Sequence, residues 1–334
     1  MPRLDQIRFS TLDLAPIRDD GSPAQALHNS LALARHVEGL GFERFWVAEH
    51  HNMDGIASSA TSVLIGYLAA GTSRIRVGAG GVMLSNHSPL VIAEQFGTLE
   101  TLYPGRIDLG LGRAPGTDRY TMQALRRNRS SDDDDEFPAD VAQVRALLGP
   151  PQPNQRVFAI PGTNTRVPLW LLGSSLFSAQ LAASMGLPYA FASHFAPLYV
   201  HEAIRLYRDQ FQPSEALDKP YVMLGVPLYA ADSDERAEYL ATTAFQRVLA
   251  LLRSQSRVLR PPIKSMQGVW LPHEQDAVGN FLGMALIGGP RKVRARLEVL
   301  LEQTRADELI FTNDMYEPND RHRAFEIVAQ LRSA

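Results

Sequence analysis

Glu49, His50 and His51 close the run RFWVAEHH (44–51), which has the length and the aromatic and β-branched character of a strand. Histidine titrates near neutral pH, so either imidazole is a candidate acid–base group. Neighbouring strand residues point to opposite faces, so His50 and His51 do not enter one site together unless the strand ends between them. A second group lies in GLGRAPG (110–116), where Arg113 leaves the run RIDLGLGR (106–113) and offers a guanidinium able to clamp an anion. Ser174, Ser175 and Ser178 straddle a predicted helix start, where hydroxyls and free backbone N–H groups either cap the helix or bind an anion. An arginine on strand four lies beside strand five in a barrel, so Arg113 and these serines together outline a phosphate site. Gly78, Gly80 and Gly81 interrupt IRVGAGGVML (75–84), and Gly110 and Gly112 interrupt the next run. Glycine inside a strand marks a bulge, a tight corner or a close approach, and two adjacent strands so stripped suggest a shared planar ligand. Asp13 and His194, at other predicted strand ends, are candidates to face a substrate.

Several chemistries are excluded. In GLGRAPG the third glycine falls one place late for a dinucleotide fingerprint, and Pro115 and Gly116 break any helix that begins there. The chain has no Gly-Lys-Ser/Thr phosphate loop, no G-x-S-x-G elbow and no H-E-x-x-H pair. It contains no cysteine, which removes disulfides, thiolate metal sites and thiol nucleophiles together. No metal is expected. A formal charge of −3 and 45% hydrophobic residues describe an ordinary globular protein, without the field that draws nucleic acid or a membrane. The stretch RRNRSSDDDDEF (126–137) carries opposite charges that cancel one another, and reads as a solvated loop. MPRLDQIRFS has no signal-like apolar core, and no run reaches the roughly 18 apolar residues of a membrane span, so a cytoplasmic location is expected.

The elements that must position these residues recur with one cadence: a short apolar run, then a segment of helical period. Strands are predicted at 7–14, 44–51, 75–84, 106–113, 167–173, 187–195, 221–230 and 308–314, each followed by a helix. Gly41 stops the first helix and Pro89 opens the third. Eight strand–helix units in one chain predict an α/β fold with a closed parallel barrel, since an open sheet rarely carries so many evenly spaced units. In such barrels the catalytic face is the one where strands end, and there all the candidate residues fall. Residues 1–334 are expected to form one domain, with an irregular insertion or lid at about 256–280 that includes Trp270 and His273.

The segments FERFWVAEHH, IRVGAGGVMLSNHSPLVIAEQFGTLETLYPGRIDLGLGRAPG, VPLWLLGSSLFSAQLAASMGLPYAF and ALIGGPRKVRARLE occur in the order that marks one family. Over nearly its whole length the chain resembles the bacterial-luciferase-like flavin-dependent monooxygenases, most of all their single-chain members. The resemblance implies a TIM (β/α)8 barrel that binds FMN, usually reduced, at its C-terminal mouth. The family's histidine near the flavin reaction centre falls on His50, its non-proline cis peptide on Gly80 and Gly81, and its phosphate arginine on Arg113. Its phosphate and flavin contacts after strand five fall on Leu172, Ser174, Ser175 and Ser178. Gly112 stands where luciferase subunits carry a cysteine, so tuning of a flavin adduct by a thiol is not implied.

The activity so implied is a two-component monooxygenase. Reduced FMN arrives from a separate flavin reductase, because the chain shows no nicotinamide-binding unit of its own, and oxygen is activated as a flavin hydroperoxide to oxidise a small organic substrate. A homodimer is the expected assembly. The alternatives are deazaflavin-dependent hydride transfer, as in related barrels, and flavin binding without turnover.

Overall fold

Period-two alternation sorts the side chains of the short strands between two cores. A computed structural model describes residues 4–114, 118–125, 136–195 and 197–333. In β1 (Arg8–Asp13) Phe9 packs outwards beneath the helices, while Leu12 points inwards. In β2 (Arg44–Val47) Phe45 and Val47 face out, and Trp46 faces in. Next round the ring come β3 (Arg76–Met83), β4 (Ile107–Gly112), β5 (Leu169–Gly173), β6 (Tyr189–Phe191) and β7 (Val222–Ala230), each parallel to its neighbour. The eighth barrel strand pairs with both β7 and β1 and closes the ring, as the cadence predicts. It is numbered β9 (Glu308–Thr312), because a further short strand, β8 (Leu286–Gly288), pairs with the end of β7 outside the ring. Three residues between glycines are too few to show an alternation, which is why the sequence does not reveal β8.

Around the barrel run α1 (Pro23–Gly39), α2 (Thr61–Ala70), α3 (Pro89–Leu102), α4 (Arg119–Leu125), α5 (Phe137–Leu148) and α6 (Leu176–Met185). They continue as α7 (Val200–Gln210), α8 (Asp234–Leu252), α9 (Pro272–Phe281), α10 (Pro290–Thr304) and α11 (Pro318–Ser333). The starts follow local chemistry. Proline occupies the first or second position of α1, α3, α5, α9 and α10, where its missing N–H costs nothing. The Ser22 and Ser233 hydroxyls accept from the Gln25 and Arg236 backbone N–H groups and cap α1 and α8. After α1 the chain turns at Gly41 with φ +73°, a conformation glycine adopts without steric cost. Among the described residues no helix is long and apolar enough to cross a membrane.

Three boundaries differ from expectation by more than two residues. β2 stops at Val47, so Glu49, His50 and His51 lie in the loop beyond it. β6 stops at Phe191 because the chain then turns: Phe195 N–H bonds the Ala192 carbonyl at 3.0 Å, and the Ser193 hydroxyl bonds the Gly225 carbonyl. The segment expected to be irregular to residue 280 folds from Pro272 into α9. The charged residues 126–135, and Pro115 and Gly116, lie outside the described residues.

The barrel interior is layered. At the N-terminal end Arg44 binds Asp108 at 2.8 Å and Glu308 at 3.0 Å, and Arg76 binds Asp108 at 2.6 Å. Glu308 also accepts the Tyr221 hydroxyl at 2.8 Å and the Ser10 hydroxyl, so the buried charges are paired and hydrogen-bonded. Above them Trp46 and Trp170 meet edge to face, with ring centroids 5.1 Å apart. Arg44 lies 4.8 Å from the Trp170 ring centroid and couples the two layers. Leu12, Ala190, Met223 and Ile310 complete this apolar layer. The C-terminal mouth lies beyond it.

Candidate active site

Two adjoining hollows open at the mouth. The first spans about 1050 Å³, the solvent at its open side included, and is walled by Gly80, Gly81, Gly112, Arg113, Leu172, Ser174, Ser175 and Ser178, among others. The second, of about 930 Å³, is bounded by His50, Met53, Ile56, Tyr229, Val248, Phe281 and Leu282. Leu12, Gly80, Met83, His194 and Phe195 line both and form their common wall.

The floor of this wall is the cis peptide Gly80–Gly81, where the sequence resemblance places one. The β3–β4 register shifts between Ala79 and Val82 at this point, so the backbone leaves the regular ladder where it meets the hollow. Of the readings the sequence leaves open for these glycines, the structure shows the bulge and the close approach. A Cβ on Gly81 would lie 2.8 Å from the Gly110 carbonyl oxygen, and one on Gly110 would lie 2.2 Å from the Ala79 oxygen. On Gly78 it would meet Asp108 and the Trp46 indole. The space is taken by the barrel's own strands and indole, and Gly80, Gly81 and Gly112 line the hollow as bare backbone.

The far corner of the first hollow gathers a cation, hydroxyls and a helix start. The Arg113 guanidinium lies 4.3 Å from the centre of the Phe177 ring, and among the described residues it has neither a carboxylate partner nor a hydrogen bond. Ser175 occupies the N-cap position of α6, yet its side chain makes no cap hydrogen bond. The free N–H groups of the first turn and the idle hydroxyls of Ser174 and Ser175 thus converge with one uncompensated cation. Ser178 differs: its hydroxyl donates to the Ser175 carbonyl at 2.8 Å and lies 3.1 Å from the Tyr189 hydroxyl. It braces the turn from within.

The paired histidines separate, although both lie in the loop beyond β2. His51 Nε2 lies 2.8 Å from Glu49 Oε1, and His87 Nε2 reaches the same oxygen at 2.8 Å. The other carboxylate oxygen accepts the Met83 N–H at 3.1 Å, which ties the end of β2 to the end of β3. Burial alone would raise the Glu49 pKa, but the bonds from His87, His51 and Met83 outweigh it and hold it below the usual carboxylate value. His50 faces the other way and lines the second hollow. His194 stands in the common wall with its Nδ1 buried against Gly225 and, among the described residues, without a hydrogen-bond partner. Burial, with a smaller contribution from His50, pushes its pKa down to about 4, so the ring is neutral at pH 7.

Asp13 does not face the mouth. Leu12 and Leu14 take the inward positions, and Asp13, on the opposite parity, points between α1 and α11. There it binds Arg321 at 2.7 Å and accepts the Ser30 hydroxyl, a structural pair buried under the helices. Trp270 lines neither hollow; it packs on Phe245 with ring centroids 5.8 Å apart, and Phe281 and Leu282 supply the cover instead. Sequence reasoning did not single out His87, Arg247, Arg257 or Asp314. Of these His87 carried a local signal, since it follows a glycine-rich strand end directly.

A family model described as luciferase-like monooxygenase matches residues 7–308. A relative named luciferase-like monooxygenase from Escherichia coli (strain K12) is 53% identical over 326 residues, 98% of this chain and 97% of its own. The crystal structure of apo-MsnO8 superposes with a TM-score of 0.86 at 34% identity, covering 97% of this chain and 98% of that one. At 15–16% identity, and so for the fold alone, the barrel matches two further structures. One is a Type II Baeyer–Villiger monooxygenase from Pseudomonas putida in complex with FMN, with a TM-score of 0.74 and 97% of each chain covered. The other is an F420-dependent secondary alcohol dehydrogenase, with a TM-score of 0.69 and 98% and 99% covered. A full-length relative at this identity, a model match over most of the barrel and a shared fold lead to one assignment: the chain belongs to the luciferase-like monooxygenase family.

Proposed function

We propose that the chain binds FMN in the first hollow, receives it reduced from a separate reductase, and oxidises a small organic substrate held in the second. The observation that carries this reading is the corner formed by Arg113, Ser174, Ser175 and the start of α6. It offers one cation stacked on Phe177, two idle hydroxyls and free N–H groups, a set suited to a phosphate monoester. Reduced FMN, when bound, supplies the electrons for oxygen activation. The protein's own part is to hold the phosphate, present bare backbone at Gly80 and Gly81, and exclude water with Leu12, Met83 and Phe195. His50, which lines the substrate side, exchanges a proton there through its imidazole. Neutral His194 adds no charge to the wall between the hollows. Exposed apolar residues on the early helices, Val63 at 73% and Leu102 at 64%, support the homodimer.

Spectral titration with oxidised and reduced FMN tests the assignment. Arg113→Ala should weaken FMN by about tenfold or more, the worth of a charge-assisted contact, while the far-ultraviolet dichroism stays unchanged. Undiminished affinity would remove Arg113 from the phosphate site. Oxygen uptake that requires reduced FMN and a substrate separates this reading from deazaflavin hydride transfer and from flavin storage.

A further inference from the structure

The second hollow is mostly apolar, with Leu14, Met53, Ile56, Val248, Leu251 and Phe281 in its walls, yet two arginines reach it. Arg247 is neutralised: its Nη1 binds Asp314 at 2.6 Å. Arg257 is not. Among the described residues its guanidinium has no hydrogen bond and no ion pair, although the side chain is half-buried. Asp54 acts on it through space without a direct bond, because its carboxylate accepts the backbone N–H of Arg257 at 3.1 Å and the Ser256 hydroxyl. Burial, then the charge of Arg247, holds the Arg257 pKa below its ordinary value, and the opposing charge of Asp54 only partly offsets them.

The position of Arg257 is specific. Besides the apolar hollow it lines a polar groove, with His50, Asn52, Asp54, Ser59, Gln255 and Ser256, which lies against that hollow and opens to solvent. Arg257 and His50 therefore stand where the polar entrance meets the apolar chamber. A ligand that satisfies both sides has an apolar body reaching inwards to Gly80 and His194, and an acidic end left at the entrance. A planar guanidinium matches the two oxygens of a carboxylate.

We propose that the second hollow binds an amphipathic carboxylic acid, with its carboxylate on Arg257 and its apolar part directed at the common wall. This rests on the reading of that hollow as the substrate side, and it makes Arg257 a specificity-determining residue. The test titrates straight-chain carboxylates from butyrate to decanoate, and their matched primary amides, into the FMN-loaded protein by calorimetry. The native protein should bind its best acid about tenfold or more tightly than the matched amide, by the worth of one charge-assisted pair. Arg257→Gln should erase that preference, leave the amide within about twofold of its native affinity and leave FMN affinity unaltered, since Arg257 does not line the first hollow. Rising salt should weaken only the native acid binding. Equal binding of acid and amide by the native protein, a preference that survives Arg257→Gln, or no binding of either series would overturn the proposal. Failure of FMN itself to bind would instead strike the cofactor reading, which the flavin titration registers separately.

Discussion

Glu49 gathers three donors on one carboxylate, from His51, His87 and the Met83 backbone, and so fixes two loops at the mouth at once. Glu49→Ala should cost about 1–3 kcal/mol in urea unfolding, the penalty for leaving buried donors unmatched; a loss indistinguishable from zero would show that the loops hold without it. Because the Glu49 pKa is depressed, its contribution is present above the unfolded carboxyl value of 4.5 and is lost as pH falls through the lower folded one. Histidines act in a higher window. His194 is pushed down to about 4 by burial, and His322, stacked on His36 with ring centroids 4.4 Å apart, is likewise at about 4, through burial, then His36 and Arg321. Below 6.5 the unfolded chain takes up protons on these rings that the folded chain refuses, so stability falls as pH drops from about 6.5 to 4. The urea midpoint should therefore be lower at pH 5 than at pH 7, and His322→Gln should reduce that difference. An unchanged difference would take His322 out of the account.

At the scale of the element, the backbone of β3 and β4 decides what the floor of the mouth tolerates. Gly81→Ala places a methyl group 2.8 Å from the Gly110 carbonyl, which is backbone and cannot swing away. It should cost about 1–3 kcal/mol as overpacking. Gly112→Ala meets the Met83 sulfur at 3.3 Å, a flexible neighbour, and should cost less. Thermal melts of the two variants compare them directly, and equal midpoints would contradict the packing argument. These strands also show what the sequence reveals. The eight barrel strands, the stop at Gly41 and the opening at Pro89 follow from local chemistry and were legible, though β8 and the ends of β2 and β6 were not. The direction of Asp13 was not, because parity along β1 depends on where the strand begins, and a one-residue shift reverses every side chain. A close approach at Gly78 and Gly110 was legible, but not what approaches, since the contacts lie on neighbouring strands. Arg257 gave no signal at all: its neighbours are loop residues brought together only by barrel closure.

For the whole molecule, the charged layer at the closed end of the barrel is the joint on which strands converge. Asp108 on β4 binds Arg44 on β2 and Arg76 on β3, and Arg44 continues to Glu308 on β9. Asp108→Ala takes the carboxylate from Arg76 and leaves Arg44 with Glu308 alone, and should cost about 3–5 kcal/mol, as for other broken buried pairs. Chemical denaturation measures this, and a loss below about 1 kcal/mol would show that water reaches the layer and screens it. The mouth at the opposite end has its own consequence. Its two hollows share Leu12, Gly80, Met83, His194 and Phe195, so occupants of both press on the same five residues. Whatever one guest does to the grip on the other is returned by the same factor, and the two dissociation constants are thermodynamically linked through that wall.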